Sequence, residues 1–213
     1  MKVYKFCTSV LSFVILILFR VKVIGKINEP KEGALLVCSN HVSLWDPILI
    51  ACVLKRQVHF MAKKELFEKP VLKQLLPAVG TFPVSRNTSD ITAVKKTLTY
   101  LKDGECVGMF LQGTRNAGID PRMTDIKSGV GMILTHSGAS ALPVSIFTKH
   151  NKVAIGRKIY VTIGAPITNE NYKEYERSRA AYQHMSDQLF ENICTLSETT
   201  EKSVQSKHSN HEN

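Results

Sequence analysis

Six short apolar runs recur along the chain, and stretches of helical spacing fill most of the intervals between them. VKVIG (21–25), ALLVCS (34–39), VHFMA (58–62), ECVGMF (105–110), ALPVSIF (141–147) and KIYVTIG (158–164) read as strands. Between them, PILIACVLK (47–55) reads as a helix, and LFEKPVLKQLLPAVG (66–80) as helical in pieces interrupted by Pro70 and Pro77. Ser89 or Asp90 is placed to cap a helix running to Lys102, which Asp103-Gly104 stops. Residues 128–137 form a further helix, and an amphipathic one spans 169–195. Strands alternating with helices predict an α/β fold, a mixed and mostly parallel sheet covered by helices. No repeat or internal linker interrupts it, and 213 residues suit one domain with ample core. The reading divides the chain into an amino-terminal segment (1–21), a folded domain (22–196) and a polar tail (197–213) expected to be disordered.

Charge is distributed unevenly. The chain carries 28 Lys and Arg against 18 Asp and Glu, and residues 1–75 hold 12 of the basic and only 5 of the acidic side chains. That surplus adjoins the most apolar segment, FCTSVLSFVILILF (6–19), which is free of charge and flanked by Lys2, Lys5, Arg20 and Lys22. As a helix, 14 residues reach ~21 Å, short of a ~30 Å hydrocarbon core. No small-residue cleavage site follows, as a signal peptide requires. A core helix and a tilted span extended by Val21, Val23 and Ile24 stay open. The preferred reading is an uncleaved membrane-associated helix dipping into one leaflet, its basic ends reaching the headgroups of anionic lipids. The chain is accordingly expected at the cytoplasmic face of the cell membrane. No basic, aromatic-rich stripe or nucleic-acid module appears, so nucleic acid is not expected as a partner. Five scattered cysteines without a CxxC read as reduced thiols, and neither zinc nor another cofactor is expected.

The chemistry concentrates where ALLVCS ends. CSNHVSLWDP (38–47) presents His41 and then Asp46 five residues later. Five places two side chains on different faces of a helix and on opposite faces of a strand, so they meet only across a turn. Asp46-Pro47 also reads as a helix start, with aspartate as N-cap and proline at the first helical position, and His41 as a loop histidine bonded to backbone. If the turn folds back, the carboxylate orients one ring nitrogen and leaves the other as a base. The chain has no GxSxG, HExxH or GxxxxGK[ST], so such a base would activate a hydroxyl on a substrate.

Four blocks carry a family resemblance. Asn40-His41-x-x-x-x-Asp46 resembles the first motif of the glycerolipid acyltransferases, and GTFPVSR (80–86) resembles their second, ending in Arg86. FLQGTRN (110–116) is similar to the third, and KSGVG (127–131) with LPVSI (142–146) to the lysine-glycine helix start and the fourth. The resemblance runs from about Val23 to Pro166, with the blocks in the family's order. It implies His41 and Asp46 as catalytic residues, and Arg86, Gln112, Gly113, Thr114, Arg115 and Lys127 as substrate-binding. Arginine's planar, permanently charged fork suits a phosphate, and glycine permits close backbone approach. The third block departs at Leu111-Gln112, where the family usually has Pro-Glu. What is then expected is acyl transfer from acyl-carrier protein or acyl-CoA to the free hydroxyl of lysophosphatidic acid. Another lysolipid acceptor, or a non-catalytic protein that binds anionic lipid, remain as alternatives at this stage.

Overall fold

The computed structural model describes residues 17–85 and 90–209. A seven-stranded sheet forms the centre: β1 (Val21–Ile24), β2 (Leu35–Ser39), β3 (Val58–Lys63), β4 (Phe82–Val84), β5 (Cys106–Phe110), β6 (Ser140–Thr148) and β7 (Ile159–Ile163). Their order is β1-β7-β6-β2-β5-β3-β4, and every neighbouring pair is parallel except β6 with β7. The helices are α1 (Asp46–Val53), α2 (Pro70–Ala78), α3 (Ile91–Lys102), α4 (Gly129–Ser137) and α5 (Arg179–Ser209). The mixed, mostly parallel sheet expected from the alternation is present.

Period-two alternation sorts the central strand between two cores. Leu35 and Val37 join Leu49, Ile50 and Val53 of α1 on one face. Leu36 and Cys38 join Leu134 of α4 and Leu189 and Phe190 of α5 on the other. Both faces being covered, β2 is buried along its whole length, as central parallel strands are. Phe19 also lies in the first core, directly before β1.

Three boundaries differ from expectation. The short β4 falls within GTFPVSR; Pro83 is tolerated there because β4 is an edge strand that pairs only with β3. The last helix begins at Arg179, since residues 169–171 make only a single 3-10 turn. It then continues to Ser209, so the stretch from Ser197 expected to be disordered is helical up to that point. Thr200 explains the extension: it is 3% exposed, and its hydroxyl meets that of Thr162 on β7 at 2.8 Å. Residues 1–16, most of the expected membrane-associated helix, lie outside the described residues, as does Arg86. Among the described residues no helix is long and apolar enough to cross a membrane.

Candidate active site

Register sets where the site forms. Ser39 at the end of β2 pairs with Phe110 at the end of β5, so the segments leaving both strands emerge side by side. Backbone bonds then stitch them together. The Leu111 N–H donates to the Ser39 carbonyl (3.2 Å), and the Asn116 N–H donates to that of His41 (2.8 Å). On the other side, the Asn40 side chain imitates a peptide group. Its Nδ2 donates to the Ile146 carbonyl at 2.9 Å, and its Oδ1 accepts the Ile146 N–H at 2.8 Å. The ladder to β6 is thereby extended one step beyond β2, and the turn that follows starts from a fixed point.

His41 and Asp46 meet across that turn. Asp46 Oδ2 lies 2.8 Å from His41 Nδ1 and accepts the backbone N–H groups of Val42 and Ser43, each at 2.7 Å. Both side chains are buried, Asp46 completely and His41 to 6% exposure. The helix starts one residue earlier than expected: Trp45 is the N-cap and Asp46 the first helical residue. The carboxylate does not cap α1, because it turns back to satisfy the two N–H groups of the turn. A carboxylate accepts only, so Nδ1 carries the proton and Nε2 presents its lone pair. The ring lies flat on Phe110, with centroids 4.0 Å apart and planes 14° from parallel. The result is a fixed imidazole with one basic nitrogen and no freedom to swing.

Gln112 does not stand where a substrate-binding residue would. It is 1% exposed, its Oε1 accepts the backbone N–H of His41 at 2.6 Å, and its Nε2 donates to Thr124 Oγ1 at 2.9 Å. A backbone N–H can only donate, which fixes the amide's orientation. Gln112 supports the catalytic turn from beneath, and both its ends are engaged. Gly113, Thr114, Arg115 and Lys127 are exposed on the loop between β5 and α4. Gly113 has φ 68°, and a Cβ there would stand 3.3 Å from Lys127 Cγ, so the absence of a side chain brings Lys127 close over the loop. Ser85 and Asp90 flank the segment carrying Arg86; Asp90 accepts the N–H groups of Ser85 (2.7 Å) and Ala93 (2.9 Å), and these bonds hold its carboxyl below the usual range. Gly80, by contrast, serves packing: a Cβ there would lie 2.6 Å from His59 Nδ1.

Sequence reasoning placed Asn40 and Phe110 within motifs without giving them a role, and it missed Thr124. Phe110 and Gln112 are two apart at a strand end, which places both on the side of His41; that periodicity was a usable signal. Cys38 is no alternative nucleophile, since complete burial pushes its thiol far above the usual range. A groove of about 890 Å³ lined by Leu134, Tyr172, Tyr175 and His184 includes none of the candidate residues.

The site is a buried carboxylate–histidine base at the carboxyl ends of parallel strands, beside a loop whose Arg115 and Lys127 make no ion pair among the described residues. Comparison with known proteins agrees. A model of the Acyltransferase family matches residues 20–147, and the chain belongs to that family. It is 32% identical over 143 residues to the 1-acyl-sn-glycerol-3-phosphate acyltransferase of Bacillus subtilis, covering 67% of this chain and 70% of that one. The enzyme of the same name from Borreliella burgdorferi is 26% identical over 185 residues, 83% of this chain and 73% of that one. In structure the chain resembles the crystallised 1-acyl-sn-glycerophosphate (LPA) acyltransferase PlsC of Thermotoga maritima. The TM-score is 0.67 at 25% identity, covering 89% of this chain and 80% of that one.

Proposed function

We propose that this acyltransferase moves an acyl group from a thioester donor to the free hydroxyl of 1-acyl-glycerol-3-phosphate, giving phosphatidic acid. The observation that carries the reading is the Nδ1–Oδ2 pairing at 2.8 Å, which leaves Nε2 as a base. The names borne by the relatives supply the acceptor.

The steps follow from the geometry. His41 Nε2 takes the proton of the acceptor hydroxyl as its oxygen attacks the thioester carbonyl. Asp46 holds Nδ1–H and stabilises the imidazolium that forms. When the tetrahedral intermediate collapses, the C–S bond breaks and the imidazolium returns its proton to the leaving thiolate. The ester is formed, the thiol is released, and the base is regenerated without an acyl-enzyme. Acyl-carrier protein and acyl-CoA both present this thioester and are the proposed donors. Arg115 and Lys127, exposed on the loop tied to the His41 carbonyl, are the proposed ligands of the acceptor phosphate, with Arg86 as a third.

The proposed location is the cytoplasmic face of the cell membrane. Two features support it: the basic and apolar amino-terminal third, and the contact of Phe19 with Trp45 of the catalytic turn (ring centroids 5.1 Å). The test is purified protein with a labelled acyl donor and a panel of lysolipids. Label in phosphatidic acid supports the acceptor; label in another phospholipid replaces it. The non-catalytic alternative rested on Gln112, and burial of that residue beneath His41 removes its motive.

A further inference from the structure

The segment that leaves β3 makes a surface which the site does not use. Residues 63–78 comprise the end of β3, a 3-10 turn (Lys64–Glu68) and α2, and no described side chain among them is buried. Leu72 and Leu76 are half-covered on one side of α2. Val71 and Leu75, one helical turn apart, are 76% and 43% exposed. Lys63, Lys64 and Lys69 precede the helix, and Lys73 lies on its opposite face, two positions from each of Val71 and Leu75; all four are exposed and without an ion pair among the described residues. Glu65 and Glu68 are the only acidic residues in this stretch.

Topology relates this surface to the site. β3 runs parallel to β5, and β5 to β2, so this segment and the catalytic turn leave the same edge of the sheet. The catalytic turn exposes apolar groups of its own, Leu44 at 65% and Trp45 at 41%. Apolar side chains are thus uncovered on both segments at that edge, and one of them carries lysines that make no ion pair among the described residues.

We propose that residues 63–78 form a second membrane contact, acting with the amino-terminal apolar run. Val71 and Leu75 enter the boundary between headgroups and acyl chains of an anionic bilayer, and Lys63, Lys64 and Lys69, which lead into the helix, engage lipid phosphates. The contact turns the catalytic edge toward the leaflet that holds the acceptor. An anionic bilayer is favoured over an acidic carrier protein because the exposed residues are aliphatic as well as basic, and protein interfaces deplete lysine. The proposal rests on the reading that the acceptor is a bilayer lipid.

The test uses the full chain and co-sedimentation with vesicles of phosphatidylcholine, alone or with phosphatidylglycerol. V71S/L75S is expected to weaken binding to both kinds of vesicle. K63Q/K64Q/K69Q is expected to lose at least about tenfold in binding to anionic vesicles only. Both variants should lose activity on vesicle-borne lysophosphatidic acid in proportion, while turnover of a soluble short-chain acceptor stays within about twofold of wild type. Unchanged vesicle binding in both variants overturns the proposal. So does intact vesicle binding by the lysine variant combined with a raised KM for acyl-carrier protein, which makes the surface a protein dock. A wild type inactive on the soluble acceptor counts against the proposed function, and the vesicle arm still decides the contact.

Discussion

His41 can act as a base because three neighbours remove its choices: Asp46 sets the tautomer, Phe110 the ring plane and Gln112 the backbone beneath it. His41→Ala is therefore expected to abolish acyl transfer without loss of fold, measured by turnover alongside circular dichroism. Asp46→Asn keeps a similar volume but offers an amide where a carboxylate accepts three N–H groups. Turnover is expected to fall by about 10²- to 10⁴-fold with acceptor KM little changed. Gln112→Ala strands the buried His41 N–H and is expected to destabilise the fold by about 1–3 kcal/mol, read from denaturant midpoints. Gln112→Glu is the subtler change. A carboxylate beneath His41 favours the imidazolium, so the acid limb of the kcat/KM profile should move to higher pH. The Thr124 hydroxyl would also have to leave the Pro121 carbonyl to donate to the new carboxylate. Much of this site was legible: the five-residue spacing required a turn, and the turn brings the pair together. Gln112 was misassigned because a motif position reveals that a residue matters, but not whether it faces substrate or core.

Between elements, close approach and one charged clamp hold the loop in place. A Cβ on Gly131 of α4 would lie 2.1 Å from the Tyr182 carbonyl oxygen of α5, and the Gly131 N–H donates to Ser186 Oγ at 3.0 Å. The glycine of KSGVG thus lets two helices touch. Gly131→Ala must push backbone apart, and it is expected to lower the melting temperature by several degrees, about 1–3 kcal/mol of overpacking. Arg122, on the loop bearing Arg115, donates to both Glu191 oxygens of α5 (2.6 and 2.8 Å) and also pairs with Glu198. Arg122 holds the Glu191 carboxyl below the usual carboxylate range. A depressed carboxyl lends stability above its unfolded value and loses it as pH falls through the folded one. Protease protection of the loop should therefore weaken on acidification, and Arg122→Ala should remove that pH dependence. At this scale the alternation of strands and helices was readable from apolar runs alone. The three-residue β4 was not, because its pairing to β3 is non-local. The length of α5 was not either, because a polar sequence gives no sign that Thr200 is buried against β7.

Across the whole molecule, the folded domain begins earlier than a change in composition suggests. Phe19 packs in the core beside Trp45, so a truncation that tests the anchor must end before residue 17. Deleting residues 1–16 is expected to release much of the protein from vesicles, and high salt should weaken the attachment that remains. Near-complete vesicle binding of the truncated chain in high salt would place the anchor elsewhere. The most direct test of the account is a single-turnover assay with purified protein, a labelled acyl thioester and lysophosphatidic acid. Wild type should place the label in phosphatidic acid with no labelled protein intermediate, and folded His41→Ala should place none. Near-normal turnover by His41→Ala, or label trapped covalently on the protein, would contradict direct transfer by a histidine base.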